Sequence, residues 1–382
     1  MFSFEKGKFP RLRVLWFVSL VIFIALQLPP VRLYFFETMG RWLYIFLFAF
    51  SLATVLTPLA RVIACRIGAL DLPAERKIHE RSTPLLGGLS IIVAFGAALL
   101  SNMILDTEMV IMLAASAVLA VVSFFDDWKG LSAKVKLIIQ LVLVLVMIWN
   151  GIILELFPVH AWWGYGLNAL FTIVWIVGIT NAMNFIDGMD GLATGLAAII
   201  ALFLGIVAFQ TDQSTLGWIA IAILGGCLGF LPYNFRVDKP ALIFLGDTGS
   251  IFLGFVLSSL AIIGHWADNN PIVSFAAPVL IFWVLIFDMT YITVERVLTG
   301  KVKTVKDWID YVGKDHIHHR TYTLLGDKRK AVLFIYLLAA TLGVSAIALR
   351  NARPVDGVLL VTQAFFITII VAIMDYSGRH RH

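Results

Sequence analysis

FTIVWIVGITNAMNFIDGMDGLATGLAAIIALFLGIVAF, residues 171–209, holds two long apolar runs joined by a short polar turn that carries Asn181, Asn184, Asp187 and Asp190. Apolar runs of this kind cross a bilayer as helices of about 20 residues. Carboxylates at membrane depth are expensive, so they mark a task and a partner. The pattern recurs along the chain. Asp126 and Asp127 close an apolar run in VVSFFDDWKGL, residues 121–131, and Asp247 sits in FLGDTGS, residues 244–250, just before another. Five oxygen donors of this type read first as a divalent-metal and phosphate site.

Working outward, the whole chain repeats the theme. Of 382 residues, 60% are hydrophobic and 14% charged, far from the balance of a soluble domain. About twelve spans can be placed, near 14–31, 41–60, 87–105, 109–125, 134–152, 163–181, 191–209, 215–233, 242–264, 273–294, 332–350 and 356–375. The expected fold is an all-α polytopic membrane protein with catalytic loops on the cytoplasmic side. The short alternating segments of a membrane barrel are absent. Cys65 and Cys227 lie in or beside apolar runs and suggest no disulfide framework. The first apolar stretch is long and lacks a small-residue cleavage site, so a cleavable leader is not expected.

Lys and Arg set the orientation. With the N-terminus in the cytoplasm, only Arg32, Arg41, Arg350 and Arg353 of the 29 basic residues fall on the far side. The C-terminus is then cytoplasmic, and all three acidic motifs face the same water. The formal charge of +5 says little alone, and nucleic acid is not an expected partner.

Two adjacent carboxylates repel unless a cation or a shared proton holds them. Asp126 and Asp127 therefore suggest Mg²⁺ binding, or a base beside a metal; a solvated helix end is the plain alternative. Asn181, Asn184, Asp187 and Asp190 recur at intervals of three, which keeps them on one broad helical face; a polar seam between helices would use the same spacing. Asp247 before a helix suits a metal and an anion together, or simply a cap. HIHHR, residues 316–320, offers imidazole and guanidinium groups to a diphosphate, with zinc or a solvated basic loop as alternatives. Arg76, Lys77 and His79 suit an anionic lipid headgroup, and serve topology equally well. Asp288, in the tenth span, is expected to pair with a cation such as Arg296.

Taken together, ALDLPAERKIHERSTPLLGG (69–88), FFDDWKGLSAKVKLIIQ (124–140), NAMNFIDGMDGLATG (181–195), FLGDTGS and HIHHR resemble the polyprenyl-phosphate N-acetylhexosamine-1-phosphate transferases, glycosyltransferase family 4, with HIHHR similar to the WecA-like branch. The likeness covers residues 41 to 375. It implies a domain over 36–382, with 1–35 an added membrane anchor. It also implies a reaction: the phosphate of undecaprenyl phosphate attacks the β-phosphate of a UDP-N-acetylhexosamine, most simply the GlcNAc sugar, and UMP leaves. Mg²⁺, with Mn²⁺ as substitute, is the implied cofactor. By the same likeness Asp126 meets the lipid phosphate, Asp127 lies close to the metal and Asp247 ligates it. Asp187, Asp190 and Asn184 hold nucleotide, metal or both. His316, His318, His319 and Arg320 clamp the diphosphate, Lys129 neutralises a phosphate and Asn234 lines the cleft. The implied product starts a surface glycan (O-antigen, capsule or teichoic-type polymer) at the bacterial inner membrane, and the implied assembly is a homodimer. The rival readings are an MraY-like phospho-MurNAc-pentapeptide transferase, an aromatic prenyltransferase and a cation-coupled transporter.

Overall fold

A computed structural model describes residues 10–71, 82–104, 106–236, 239–267, 271–304, 307, 313, 315–349 and 352–379. Regular structure among them is helical apart from one short antiparallel pair, β1 (Leu70–Asp71) on β2 (Thr83–Pro84). The longer elements are α1 (Pro10–Leu26), α2 (Pro29–Tyr34), α3 (Arg41–Ile67), α4 (Gly88–Ser101), α5 (Thr107–Lys129), α6 (Ala133–Trp149), α7 (Trp162–Ile186) and α8 (Leu192–Gln210). They continue with α9 (Ser214–Asn234), α10 (Gly246–Ile263), α11 (Pro271–Ile281), α12 (Trp283–Leu298), α13 (Ile317–Leu325), α14 (Lys328–Ile347) and α15 (Pro354–Arg379). The chain is a multi-pass, all-α membrane protein.

The count of spans differs from the expected twelve. Among the described residues, eight helices are long and apolar enough to cross a bilayer, or ten if each of two bent pairs counts as one. The other two expected spans are the short helices α4 and α6. With 14 residues, α4 rises only about 20 Å against a hydrocarbon thickness of about 30 Å. With 17 residues, α6 carries Lys134 and Lys136 in its first turn.

One of the two bends has a breaker at its own position. The first expected span breaks at 84° between Arg11–Leu26 and Pro29–Thr38, where Pro29 and Pro30 start a new helix without amide donors. The tenth breaks at 78° around Phe282. Pro278 lies inside α11, four residues before that break, and the Phe282 amide still donates to its carbonyl.

Burial sorts the helices into centre and rim. The most apolar window of α10 is 89% buried and that of α15 only 17%. Around α10 pack α4, α5, α7 and α8, while α3 and α9 form a second tightly apposed pair. In this way α10 delivers its N-terminal Gly246–Asp247–Thr248 into the middle of the bundle, beside the ends of α5 and α7.

Candidate active site

Three residues of turn decide the site. Gly130, with φ of +74°, ends α5, and Ser132 caps α6 by accepting from the amide of Val135. This tight reversal folds Lys136 back onto the acidic pair. Its Nζ lies 2.6 Å from Asp126 Oδ2 and 2.6 Å from Asp247 Oδ2. Lys136 was legible in the sequence only as one more basic residue; the ammonium that joins two of the motifs is a structural finding. Lys129, the expected phosphate partner, instead lies exposed with its Nζ 4.4 Å from the Trp128 ring.

Asp127 turns toward α10. Its Oδ1 accepts from the amide of Asp247 at 2.9 Å, and its Oδ2 accepts from the amide and hydroxyl of Thr248 at 2.9 and 2.6 Å. A carboxylate at a helix N-terminus satisfies orphan donors and complements the dipole. Glycine is needed beside it: Gly246 has φ of +75°, and a Cβ there would lie 2.6 Å from Asp127 Oδ2. Asp127 thus fixes the backbone that presents Asp247.

The end of α7 completes the cluster. Asn184 Nδ2 donates to Asp247 Oδ1 at 2.9 Å and to Ser250 Oγ at 3.0 Å. One turn earlier, Asn181 Nδ2 donates to Gln140 Oε1 at 2.7 Å. The helix stops at Ile186, so Asp187 sits in its cap and Asp190 beyond it, and the interval of three does not run on one helical face. Asp190 Oδ2 accepts from the amide of Ala241 at 2.8 Å. Asn234, expected to line the cleft, is a buried staple: Oδ1 accepts from the Gly191 amide and Thr194 hydroxyl, and Nδ2 donates to the Ile243 carbonyl. Among the described residues, no hydrogen-bond donor reaches the Asp187 carboxylate. Burial first, then the charges of Asp247, Asp127 and Asp190, push its pKa well above the usual carboxylate range. Such a group favours a bound cation.

HIHHR opens α13. His316 precedes the helix, its ring stacked on His318 at 5.8 Å, and His318 meets His319 at 4.2 Å. His318 also packs against Gly188, where any Cβ would collide with its Nε2. His318 therefore abuts the Asp187–Gly191 turn. Arg320 points elsewhere. It donates to Glu295 and to the Asp315 carbonyl, and stacks over Tyr291 at 4.3 Å. The expected Asp288–Arg296 pair is not formed. Arg296 binds Asp315 through two bonds of 2.8 and 2.7 Å. Burial raises the Asp315 pKa, but the guanidinium more than offsets this and holds it below the usual range. Asp288 takes His316 instead. Arg76, Lys77 and His79 lie outside the described residues.

His318 supplies a pH prediction. It is 1% exposed, and among the described residues neither ring nitrogen has a hydrogen-bond partner. Burial first, then His319 and His316, push its pKa well below 6.5. The folded state keeps it neutral, whereas the unfolded chain takes up a proton below about 6.5. Stability is therefore lost as pH falls through that value, by at most about 1.4 kcal/mol per pH unit. Melting temperatures from pH 7 to 5 should fall less steeply for His318→Gln than for the parent; parallel curves would contradict this.

Among the described residues, no three His, Cys, Asp or Glu side chains form a ready-made metal cage. Mg²⁺ needs none, since it binds through one or two carboxylates plus substrate phosphates. Asp126 and Asp247, whose oxygens share one ammonium, are a donor set of that kind.

Comparison with known proteins identifies the family. The model of glycosyl transferase family 4 matches residues 109–265. A "Probable undecaprenyl-phosphate N-acetylglucosaminyl 1-phosphate transferase" of Bacillus subtilis (strain 168) is 35% identical over 83% of this chain and 87% of its own. An "Undecaprenyl-phosphate alpha-N-acetylglucosaminyl 1-phosphate transferase" of Yersinia pestis is 28% identical over 78% of this chain and 81% of its own. A "Phospho-N-acetylmuramoyl-pentapeptide-transferase" of Levilactobacillus brevis is 35% identical, but over 49% of this chain and 64% of its own. With its carboxylates gathered around Lys136 at the meeting point of α5, α6, α7 and α10, and with a relative of that identity matched along most of its length, this chain belongs to glycosyl transferase family 4.

Proposed function

We propose that the chain transfers N-acetylglucosamine 1-phosphate from UDP-N-acetylglucosamine to undecaprenyl phosphate, on the cytoplasmic face of the bacterial inner membrane, and so starts a lipid-linked surface glycan. The observation that carries this reading is the carboxylate cluster around Lys136 at helix ends of a membrane bundle. A transporter would hold such acids near the midplane, on broken helices. The pentapeptide-transferase reading has less support, because the relative of that name matches only half of this chain.

In the reaction an oxygen of the acceptor phosphate bonds to the β-phosphorus of the donor. The bond from that phosphorus to the bridging oxygen breaks, and UMP leaves with the electron pair. Phosphoryl transfer depends on in-line positioning and on cations at the charged oxygens. Mg²⁺, for which Mn²⁺ can substitute, would supply that charge when held by Asp247 and Asp126. Lys136 adds a fixed ammonium between the same two carboxylates. Asp127 keeps the first turn of α10 in place, and Asn184 orients Asp247 through its amide. Asp187 is a further cation or nucleotide contact, while Asp190 sets the turn that presents it. His316, His318 and His319 meet the diphosphate, and Arg320 holds their helix against Glu295. Lys129, with Arg76, Lys77 and His79, offers charge to the lipid headgroup. The acceptor phosphate is already ionised at neutral pH, so a strong base is not required. Residues 1–35 serve as an added anchor, and the working assembly is a homodimer.

Sugar-labelled donors test the reading. Purified protein with undecaprenyl phosphate and Mg²⁺ is given UDP-GlcNAc, UDP-GalNAc or UDP-MurNAc-pentapeptide. Label should enter the lipid fraction from UDP-GlcNAc. Transfer from the pentapeptide donor alone, or from none, would overturn the proposal.

A further inference from the structure

Asp288 lies on α12, 2% exposed, outside the carboxylate cluster. Its Oδ2 is 2.8 Å from His316 Nδ1, and its Oδ1 accepts from the amide of Ile317 at 2.7 Å. Ile317 is the first residue of α13, whose preceding residue gives no side-chain cap. The missing cap thus comes from a helix 29 residues earlier. An ionised carboxylate only accepts hydrogen bonds, so His316 Nδ1 carries the proton and Nε2 is the nitrogen left for other work. The ring packs near Phe185, at 5.7 Å between centroids, and on His318, at 5.8 Å. Phe185 follows Asn184, the residue bound to Asp247. His316 therefore stands beside the end of α7 that presents the carboxylate cluster.

We propose that Asp288 is a positioning residue of the transfer site, fixing His316 with Nδ1 protonated and Nε2 turned to the diphosphate of the sugar nucleotide. This rests on the transferase reading above. A diphosphate oxygen accepts but does not donate, so Nε2 must also carry a proton when it binds one. His316 then acts as an imidazolium, and Asp288 supplies the counter-charge. The same carboxylate sets the start of the helix that carries His318 and His319.

The chemistry of the alternatives makes this testable. Two donors face Asp288, the Ile317 amide and His316 Nδ1–H. Asparagine has one acceptor oxygen and one donor amide. The Ile317 N–H cannot give up its proton, so in Asp288→Asn the amide oxygen goes to Ile317. The NH₂ then faces Nδ1 and forces the Nε2–H tautomer, and His316 binds phosphate without its charge. A proline at position 317 removes the competing N–H and is tolerated at the first position of a helix. In Asp288→Asn/Ile317→Pro the asparagine oxygen is released to His316, and the Nδ1–H tautomer returns.

Two readouts decide the matter, both on the full chain in lipid nanodiscs. Nitrogen-15 NMR of histidine-labelled protein, assigned with His316→Gln, should show Nδ1 protonated in the parent and in the double variant, and Nε2–H alone in Asp288→Asn. Steady-state kinetics should show KM for UDP-GlcNAc raised about 10- to 100-fold in Asp288→Asn, the scale of a charge-assisted hydrogen bond. KM for undecaprenyl phosphate should be unchanged, and the double variant should regain part of the loss. An Nε2–H tautomer in the parent overturns the inference. So does an unchanged KM for UDP-GlcNAc in a variant whose tautomer has switched, or an equal rise for both substrates. If Asp288→Asn fails to fold, the parent spectrum still decides: a protonated Nδ1 supports the inference, and an Nε2–H tautomer overturns it. If the parent releases no UMP, the transferase reading itself fails, and the nitrogen spectrum separately reports the tautomer.

Discussion

Asp247→Asn should lower UMP release by about a thousandfold or more, roughly 4 kcal/mol of transition-state stabilisation, while leaving the fold intact. The amide has the shape of the carboxylate, and its one oxygen can still accept from Asn184 or from Lys136, which in Asp247 meet separate oxygens. What disappears is the negative charge at an acid bonded to both α6 and α7. A divalent cation held there, as proposed, would depend on that charge. Size-exclusion profiles should match the parent, and Mg²⁺ titration should fail to restore the rate. Activity within tenfold of the parent would contradict the proposed metal-ligand role of Asp247.

Lys136→Met should cost both stability and rate. Lys136 sits 2.6 Å from two carboxylates that are only partly exposed, and removing it leaves them to repel. Breaking a fully buried pair costs about 3–5 kcal/mol. The partial exposure here lowers the expectation to about 2 kcal/mol, and activity should drop about a hundredfold. Thermal unfolding in detergent, with and without Mg²⁺, separates a functional ammonium from a merely structural one. A divalent cation relieves the same repulsion, so added Mg²⁺ should raise the Tm of Lys136→Met more than that of the parent. Lys136→Arg should fall between the two in rate. A parent-like Tm and rate in Lys136→Met would contradict the assignment of a central cation.

The helices were legible because apolar runs and basic connections are local signals. The acids were legible because charge inside an apolar chain is costly wherever it falls. The partners of those acids were not legible, because partnership is a long-range property. Asp126 and Asp247 are 121 positions apart and meet through Lys136, which became central only when Gly130 and Ser132 reversed the chain. Asp127, expected at the metal, has its oxygens engaged by the first turn of α10, a contact that no local pattern encodes. Asp288 was matched to Arg296 because the two share a helix. The fold returns a later segment over that helix, so that His316 reaches Asp288 and Asp315 reaches Arg296. Pro29 and Pro30 announced the first break in plain sequence. The second falls four residues beyond Pro278, where the sequence itself carries no breaker. His318 of HIHHR lies against Gly188, but periodicity could not show that Arg320, on the same helix, turns toward Glu295.

The central claim is that the clustered carboxylates serve phosphoryl transfer to a lipid phosphate. The nucleotide product tests it most directly. UDP-GlcNAc is incubated with purified protein, with and without undecaprenyl phosphate and with and without Mg²⁺, and the nucleotide is separated by anion exchange. UMP should form only when lipid and metal are both present, in equal amount to the lipid-linked sugar. Release of UDP instead would mean that the sugar–oxygen bond breaks rather than the phosphoanhydride. UMP formed without the lipid would mean hydrolysis. Either result would contradict transfer of sugar 1-phosphate as the activity of this site.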